Sequence, residues 1–257
     1  MRRDIDDALR GWPQEPGSGE LIVREVKARD GRSVVQVRVE LGVLQMEIEG
    51  RPDGLRPQGF TTYLDYLRHR AASRVARKGG DPSWTMGPEH CAEVDRELVQ
   101  FHQRRVAWLA LQRYDRALQD SEHTLNLMDF VVRHGINRDY IEAHERLRGL
   151  VLFHRSQAAA ALALERRRPD EAIEAVQEGI ERLAEHHRAW CEEHDDEELP
   201  DLALIEQLRQ LEGEVRKNFA VSKTLREQLD EAVAREDYEC AARLRDQIRS
   251  RTRRSSR

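Results

Sequence analysis

Apolar residues recur at every second position in part of the segment 20–49. The runs 34–41 and 43–49 each alternate apolar and polar residues over most of their length. A period of two is typical of strands with one buried face and one solvated face. Asp30 and Gly31 separate the first two apolar runs, and this pair favours a tight hairpin because the turn needs a positive φ. The pattern predicts a small antiparallel β-meander near the N-terminus.

After residue 55 the apolar positions follow the spacing of helices instead. Tyr63, Tyr66 and Leu67, for example, fall on one face of the first stretch. Gly, Pro, Asn and Asp residues stand at the ends of these stretches, where they act as caps or breakers. The pattern predicts helices over Thr61–Lys78, Pro88–Arg113, Asp115–His134, 137–168, from Pro169 to an acidic stretch at 192–199, and Leu202–Lys217.

Two of the predicted helix-to-helix corners have similar sequences. Small residues precede each corner, and an Asp-x-Ala pattern follows it, at Asp115-Arg116-Ala117 and at Asp170-Glu171-Ala172. This pattern resembles the tetratricopeptide repeat, in which small residues let antiparallel helices approach each other. The two corners lie farther apart than the roughly 34-residue period of that family. An ordinary antiparallel helical bundle is the alternative, and both interpretations predict a helical scaffold.

Two short apolar stripes at helical spacing follow each other near the C-terminus. The first spans Leu225–Val233, the second spans Tyr238–Ile248, and Glu236 and Asp237 separate them. Asp237 is placed to cap the second helix, so the pattern predicts a short αα-hairpin. A hairpin of this size has too little core to be stable alone. We therefore expect it to dock on the preceding helix, on a second copy or on another protein.

The hairpin sequence closely resembles the UVR motif of the excision-repair proteins UvrB and UvrC, which also occurs in the ClpC chaperone and its adaptor McsA. The resemblance implies an element for protein–protein contact. In the repair proteins it pairs with another UVR hairpin, and in the protease regulators it is a docking or coiled-coil-like element. The helicase P-loop, the endonuclease pattern and the CxxC pairs of those relatives are absent, so their catalysis and metal binding are not implied. The residues expected to bind a partner are Leu225, Leu229, Ala232, Val233, Glu236, Asp237, Tyr238, Ala241, Leu244, Arg245 and Ile248. Of these, Glu236, Asp237 and Arg245 should determine the geometry of the corner between the two helices and the electrostatic register of the contact.

Composition narrows the class of protein further. Charged residues make up 35% of the 257 residues and hydrophobic residues 39%, which is too polar for one thick globular core and suits long two-faced helices. The net charge of -5 from 43 basic and 48 acidic residues argues against a nucleic-acid coat or a polybasic membrane protein. No run approaches about 18 apolar residues, so no transmembrane helix is predicted. Three separated cysteines, and a first stretch without the apolar core of a signal peptide, favour a cytoplasmic setting.

Other candidate chemistry is sparse. The common signatures of nucleotide binding, zinc proteolysis and serine hydrolysis do not occur, and we expect no cofactor and no catalysis. His187, Cys191 and His194 are zinc-competent types on one helix, but they lie at an acidic helix end, and we expect no metal there. The arginine-rich tail over 251–257 lacks interleaved aromatic residues, so we expect it to be disordered, with weak contact to nucleic acid at most.

Together these patterns predict an α+β protein that is predominantly α. It has a β-meander segment over 1–54, a bundle-like or tetratricopeptide-like scaffold over 55–199, and a C-terminal segment over 200–257 that holds a helix, the hairpin at 222–250 and the basic tail. We expect a non-enzymatic adaptor that binds a partner with a helical hairpin, with UvrB or UvrC in nucleotide excision repair as the favoured partner. A regulator of a Clp-type protease and a self-associating scaffold are the alternatives.

Overall fold

The chain divides into two compact units, Met1–Arg155 and Ser156–Arg257. A computed structural model describes residues 9, 12, 21–40, 42–76, 84–194 and 199–255, with the backbone alone at 75 and 251–255. Within these residues, one small antiparallel sheet and eight α-helices confirm the predicted fold class, α+β and predominantly α. The three segments predicted from the sequence stay a prediction.

The three predicted strands form one antiparallel sheet in the order β1-β2-β3. They are β1 (Val23–Lys27), β2 (Ser33–Val39) and β3 (Gly42–Glu47). Gly31 has a φ of 88° between β1 and β2, which confirms the predicted Asp-Gly turn. Neighbouring residues of a strand face opposite sides, yet Val34 and Val35 are both 0% exposed. The sheet is therefore covered on both faces at this point, in contrast to the expected single wet face.

The helices follow the sheet, and a 3-10 turn at Pro57–Gly59 precedes the first of them. Their bounds are α1 (Tyr63–Val75), α2 (Pro88–Ala110), α3 (Tyr114–His134), α4 (Arg138–Glu165), α5 (Pro169–Glu193), α6 (Asp201–Phe219), α7 (Leu225–Ala234) and α8 (Tyr238–Ser255). None of these helices is both long enough and apolar enough to cross a membrane.

Each predicted helix is present, with ends that differ by a few residues. Helix α1 begins at Tyr63 instead of Thr61, because Thr62 Oγ1 accepts a hydrogen bond from Asp65 N at 3.2 Å and caps the helix. Helix α8 continues to Ser255, so the expectation of a disordered tail is wrong for the backbone of residues 251–255. No Gly or Pro stands in that stretch to end the helix.

In the first unit, the buried carboxylate of Glu97 on α2 caps the start of α1. Its oxygens accept hydrogen bonds from Tyr63 N at 2.6 Å and from Leu64 N at 3.1 Å. These amides belong to the first turn of α1, which has no partners for them within the helix. His123 Nε2 of α3 lies 3.0 Å from the same carboxylate, and Glu97 is 0% exposed. One acidic side chain therefore joins three helices.

Arg104 and Asp120 form a buried, two-pronged ion pair between α2 and α3. Arg104 Nε and Nη2 donate to the two carboxylate oxygens at 2.9 and 2.7 Å. Arg104 Nη1 donates to the carbonyl oxygens of Glu47 and Gly50 at 2.8 Å each. The guanidinium group thus fixes the end of β3 and the following turn to the helices.

In the second unit, α5 and α6 pack on each other through fully buried side chains such as Ile173, Leu183 and Leu208. Gly179 lets α4 approach α5 closely, because a Cβ at this position would lie 2.0 Å from Ser156 Oγ. Any larger residue at 179 would push the two helices apart. The α5–α6 pair is the base on which the C-terminal hairpin begins.

Three helix-to-helix corners share one backbone geometry. Each has a non-glycine residue in the left-handed region, with φ between 55° and 59°, namely Gln112, Arg167 and Glu236. The residue after it donates its backbone N–H to the carbonyl oxygen five positions earlier, at 2.9 Å in all three corners. Four positions after this donor stands a buried alanine, namely Ala117, Ala172 or Ala241. This hydrogen bond is that of a Schellman motif. The first two corners are those that resemble each other in sequence, and the third is the C-terminal hairpin. The tetratricopeptide interpretation of the middle is not confirmed.

The C-terminal hairpin as a candidate interaction site

Thr224 and Glu227 begin the hairpin with reciprocal hydrogen bonds. Thr224 Oγ1 accepts from Glu227 N at 3.2 Å, and Thr224 N donates to Glu227 Oε2 at 2.7 Å. This capping box provides partners for backbone groups that the first turn of α7 leaves open. The Thr-x-x-Glu spacing is visible in the sequence and could have placed the start of the first helix at Leu225, within the hairpin predicted over 222–250.

Glu236 and Asp237 form the corner between the two helices. Asp237 Oδ1 accepts a hydrogen bond from Cys240 N at 3.0 Å, which confirms that Asp237 caps the second helix. Glu236 takes the left-handed position before it, and its side chain is exposed. The chain therefore reverses within two residues, and α8 returns alongside α7.

The two helices pack on each other through a small buried seam. Its centre consists of Ala232, Ala241 and Leu244, which are 7%, 8% and 9% exposed. Leu225 and Leu229 pack against this centre, and so does Cys240, which the sequence did not single out. Five residues predicted to bind a partner thus contact each other inside the hairpin.

The other predicted residues lie outside the seam. Tyr238 and Val233 are 70% and 51% exposed beside the corner. Glu236, Asp237 and Arg245 are exposed as well, Ile248 is half-buried, and Arg245 pairs with its neighbour Asp246 at 3.2 Å. We call Val233, Glu236 and Tyr238 the corner surface.

A polar network joins the start of the hairpin to α5 and α6. Gln177 Nε2 donates to Glu212 Oε1 at 3.0 Å and to Glu227 Oε1 at 2.9 Å. The Arg216 guanidinium pairs with the same two carboxylates. The hairpin therefore contacts the preceding helix of its own chain, which is one of the docking modes that the sequence left open. Gln177 and Arg216 carry no local sequence signal for this role.

The network holds Glu227 in its charged form. Burial would raise the pKa of this carboxyl, but the Thr224 backbone N–H, the Arg216 guanidinium and the Gln177 amide outweigh it and lower the pKa to about 2. Burial would lower the pKa of Arg216, but the hydrogen bonds that its guanidinium group donates to Glu227 and Glu212 outweigh this effect and raise the pKa. The start of the hairpin is thus an ion pair that stays charged near neutral pH.

The zinc-competent residues on α5 do not all converge. Cys191 Sγ lies 3.6 Å from His187 Nε2, whereas the ring of His194 stacks on Trp190 with ring centroids 3.7 Å apart. Within the part of the chain that the structure describes, no group of three or more His, Cys, Asp or Glu residues could hold a metal ion. His187 and Cys191 instead face an open groove of about 670 Å³ between α5 and α6, with Ala184, Arg188, Leu202, Ile205 and Arg209.

Comparison with protein families matches residues 221–250 to the UVR family, described as the UvrB/uvrC motif. The matched range contains the capping box, the corner and the whole seam of the hairpin. It confirms the resemblance drawn from the sequence and leaves the rest of the chain unassigned. No curated protein and no solved structure matches the chain.

Proposed function

Because this chain is a UVR motif-containing protein, we propose that it is a non-enzymatic adaptor that binds a helical hairpin of another protein. The proposed partner is the UVR hairpin of UvrB or UvrC, and the proposed process is nucleotide excision repair. The observation that supports this role is the exposure of Tyr238 and Val233 on the corner surface. Burial of these two side chains against a partner would remove apolar area from water.

The position of the corner surface suits such a role. The polar network holds the hairpin at Thr224 and Glu227, where α7 begins. Helix α7 has 10 residues, so the corner lies about 15 Å farther along the helix axis at 1.5 Å per residue. The hairpin is therefore fixed at its base and presents its corner to a partner. Its seam is already filled by its own side chains, and a partner would bind the outside.

Binding of the purified full-length protein to purified UvrB and UvrC tests the proposal. The variant Val233→Asp with Tyr238→Ser changes two exposed side chains and leaves the seam intact. We expect it to bind about 30-fold more weakly, since loss of an interface aromatic typically costs about 2 kcal/mol. Val99→Asp is the matched control, because Val99 is 55% exposed in the other unit, and it should bind like the wild type.

Equal binding by the corner variant and the wild type would contradict the corner surface as the contact. Absence of binding to both UvrB and UvrC would contradict the proposed partner. If the protein bound ClpC instead and changed its ATPase activity, a regulator of a Clp-type protease would replace the repair adaptor. Sedimentation of the protein alone would reveal a self-associating scaffold.

A further inference from the structure

Aromatic and arginine side chains form a continuous patch along the exposed side of α1. The patch consists of Phe60, Tyr66, His69, Arg70, Arg74 and Trp84. Phe60 precedes the helix, and its ring centroid lies 6.0 Å from that of Tyr66 and 5.1 Å from that of His69. His69 is exposed, and the rings of Phe60 and Tyr66 are half-buried. We call these six residues the aromatic–arginine patch.

Among the residues that the structure describes, the contacts of the two patch arginines are with neutral groups. Arg70 Nη1 donates to the Tyr66 hydroxyl at 2.7 Å, and Arg70 Nε is buried without a hydrogen bond. The guanidinium carbons of Arg70 and Arg74 lie 5.8 and 5.5 Å from the centre of the Trp84 ring. Neither side chain has a carboxylate within 4 Å among the described residues. Within that part of the chain, neither guanidinium group is therefore occupied by a direct ion pair.

This arrangement differs from that of other arginines in the same unit. Arg96 pairs with Glu93 at 2.8 Å, and Arg138 pairs with Glu142 at 2.5 Å. In a chain with a net charge of -5, acidic side chains are plentiful, yet neither patch arginine pairs with one in the described ranges. His90 lies near these arginines, and its pKa is lowered by burial first and then by the charges of Arg70 and Arg74, although the nearby Glu89 carboxylate acts in the opposite direction.

We propose that the aromatic–arginine patch binds single-stranded nucleic acid. Guanidinium groups without carboxylate partners can accept phosphates in bidentate geometry, and each phosphate contact releases counterions. Partly exposed aromatic rings next to these groups provide faces on which unpaired bases stack. A duplex would bring its phosphates to the arginines but would keep its bases away from the rings. The combination therefore favours a single strand over a duplex or free phosphate.

Fluorescence anisotropy with a labelled single-stranded oligonucleotide, at several salt concentrations, tests this site on the full-length protein. Arg70→Gln with Arg74→Gln should weaken binding and reduce the slope of log affinity against log salt by about 1.4, at roughly 0.7 per phosphate contact. Arg96→Gln with Arg138→Gln removes the same charge at exposed, carboxylate-paired positions of the same unit, and should leave affinity and slope nearly unchanged. If Arg70→Gln with Arg74→Gln does not fold, His69→Ala with Arg74→Gln replaces it as the test variant, because it changes only exposed side chains.

Trp84 provides a second, direct measurement. Oligonucleotide binding should change the tryptophan fluorescence of the wild type, and this change should be lost in Trp84→Phe. Three outcomes would overturn the proposal: no binding by the wild type, equal loss of affinity in both arginine double variants, or equal affinity for inorganic polyphosphate. Tighter binding of a duplex than of a single strand would overturn the stacking of bases on the rings.

Discussion

Arg216 of α6 and Glu227 of α7 form an ion pair at the point where the UVR hairpin begins. Gln177 of α5 donates to the same glutamate at 2.9 Å. Three helices of the second unit thus meet at one carboxylate. The hairpin consequently depends on its own chain for the geometry of its base, and its stability is linked to the charge of Glu227.

The first prediction concerns pH. The pKa of Glu227 in the folded protein is about 2, below its ordinary value of 4.5. A carboxyl whose pKa is depressed on folding stabilises the fold above its unfolded pKa, and this contribution is lost as pH falls through the folded pKa. Glu227→Gln should therefore lower the melting temperature most above pH 4.5, and the difference from the wild type should vanish near pH 2.

Thermal denaturation followed by circular dichroism between pH 2 and pH 7 measures this effect. Asp246→Asn is a suitable control, because Asp246 is exposed and lies in the same hairpin. A difference between Glu227→Gln and the wild type that is the same at every pH would show that the charge of Glu227 has no part in stability.

The second prediction separates the seam from the corner surface. Leu244 is 9% exposed in the seam, so Leu244→Ala should destabilise the hairpin by about 2 to 3 kcal/mol through lost burial and a cavity. Val233 is 51% exposed, and Val233→Ala should change stability by less than about 0.5 kcal/mol. Hydrogen exchange of peptides within 225–248, measured by mass spectrometry, reports both effects. Similar exchange in the two variants would mean that the seam does not hold the hairpin together.

The third prediction concerns the left-handed residue of the hairpin corner. Glu236 has a φ of 59°, which costs a residue with a Cβ about 1 to 2 kcal/mol, whereas glycine adopts it without strain. Because glycine loses more entropy on folding, the net gain from Glu236→Gly should be about 0.5 to 1 kcal/mol. Gln228→Gly in the exposed interior of α7 is the control and should cost about 1 kcal/mol. Denaturant unfolding distinguishes the two, and a loss of stability in both would contradict the assigned corner geometry.

The fourth prediction tests the buried ion pair of the first unit. Arg104→Met leaves Asp120 charged in a site where the two side chains are 4% and 6% exposed, and should cost about 3 to 5 kcal/mol. Arg104→Met with Asp120→Leu should recover part of this loss, but the carbonyl oxygens of Glu47 and Gly50 would still lack their donor. Arg96→Met at an exposed position is the control. If the double variant were less stable than Arg104→Met, an uncompensated charge would not explain the loss.

Features that act over a few residues could be predicted from the sequence. The Asp30-Gly31 turn and the cap at Asp237 were both found in this way. Asn137 begins the helix predicted over 137–168, where Asn is a typical cap, and its Oδ1 accepts a hydrogen bond from Tyr140 N at 2.8 Å. Each of these contacts spans four residues or fewer, so a single sequence contains all of its determinants.

Contacts between distant positions could not be predicted in the same way. Gln177 and Glu227 lie 50 residues apart, and Tyr63 and Glu97 lie 34 residues apart. The apolar stripes of the hairpin could not be interpreted fully for the same reason. Helical spacing shows which side chains share a face of a helix, but it does not show which element packs on that face. Leu229 and Leu244 were assigned to a partner on this basis, whereas the structure places them in the seam and leaves Tyr238 outside.

The capping of α1 by Glu97 has a consequence for the order of folding. Helix α1 has only 13 residues, and isolated helices of about this length are marginal in water. The acceptor for its first two amides belongs to α2, so the nucleus of α1 is complete only after α2 has formed and the intervening chain has closed. We therefore expect the amides of α2 to become protected from exchange before those of α1 during refolding, although α1 leaves the ribosome first.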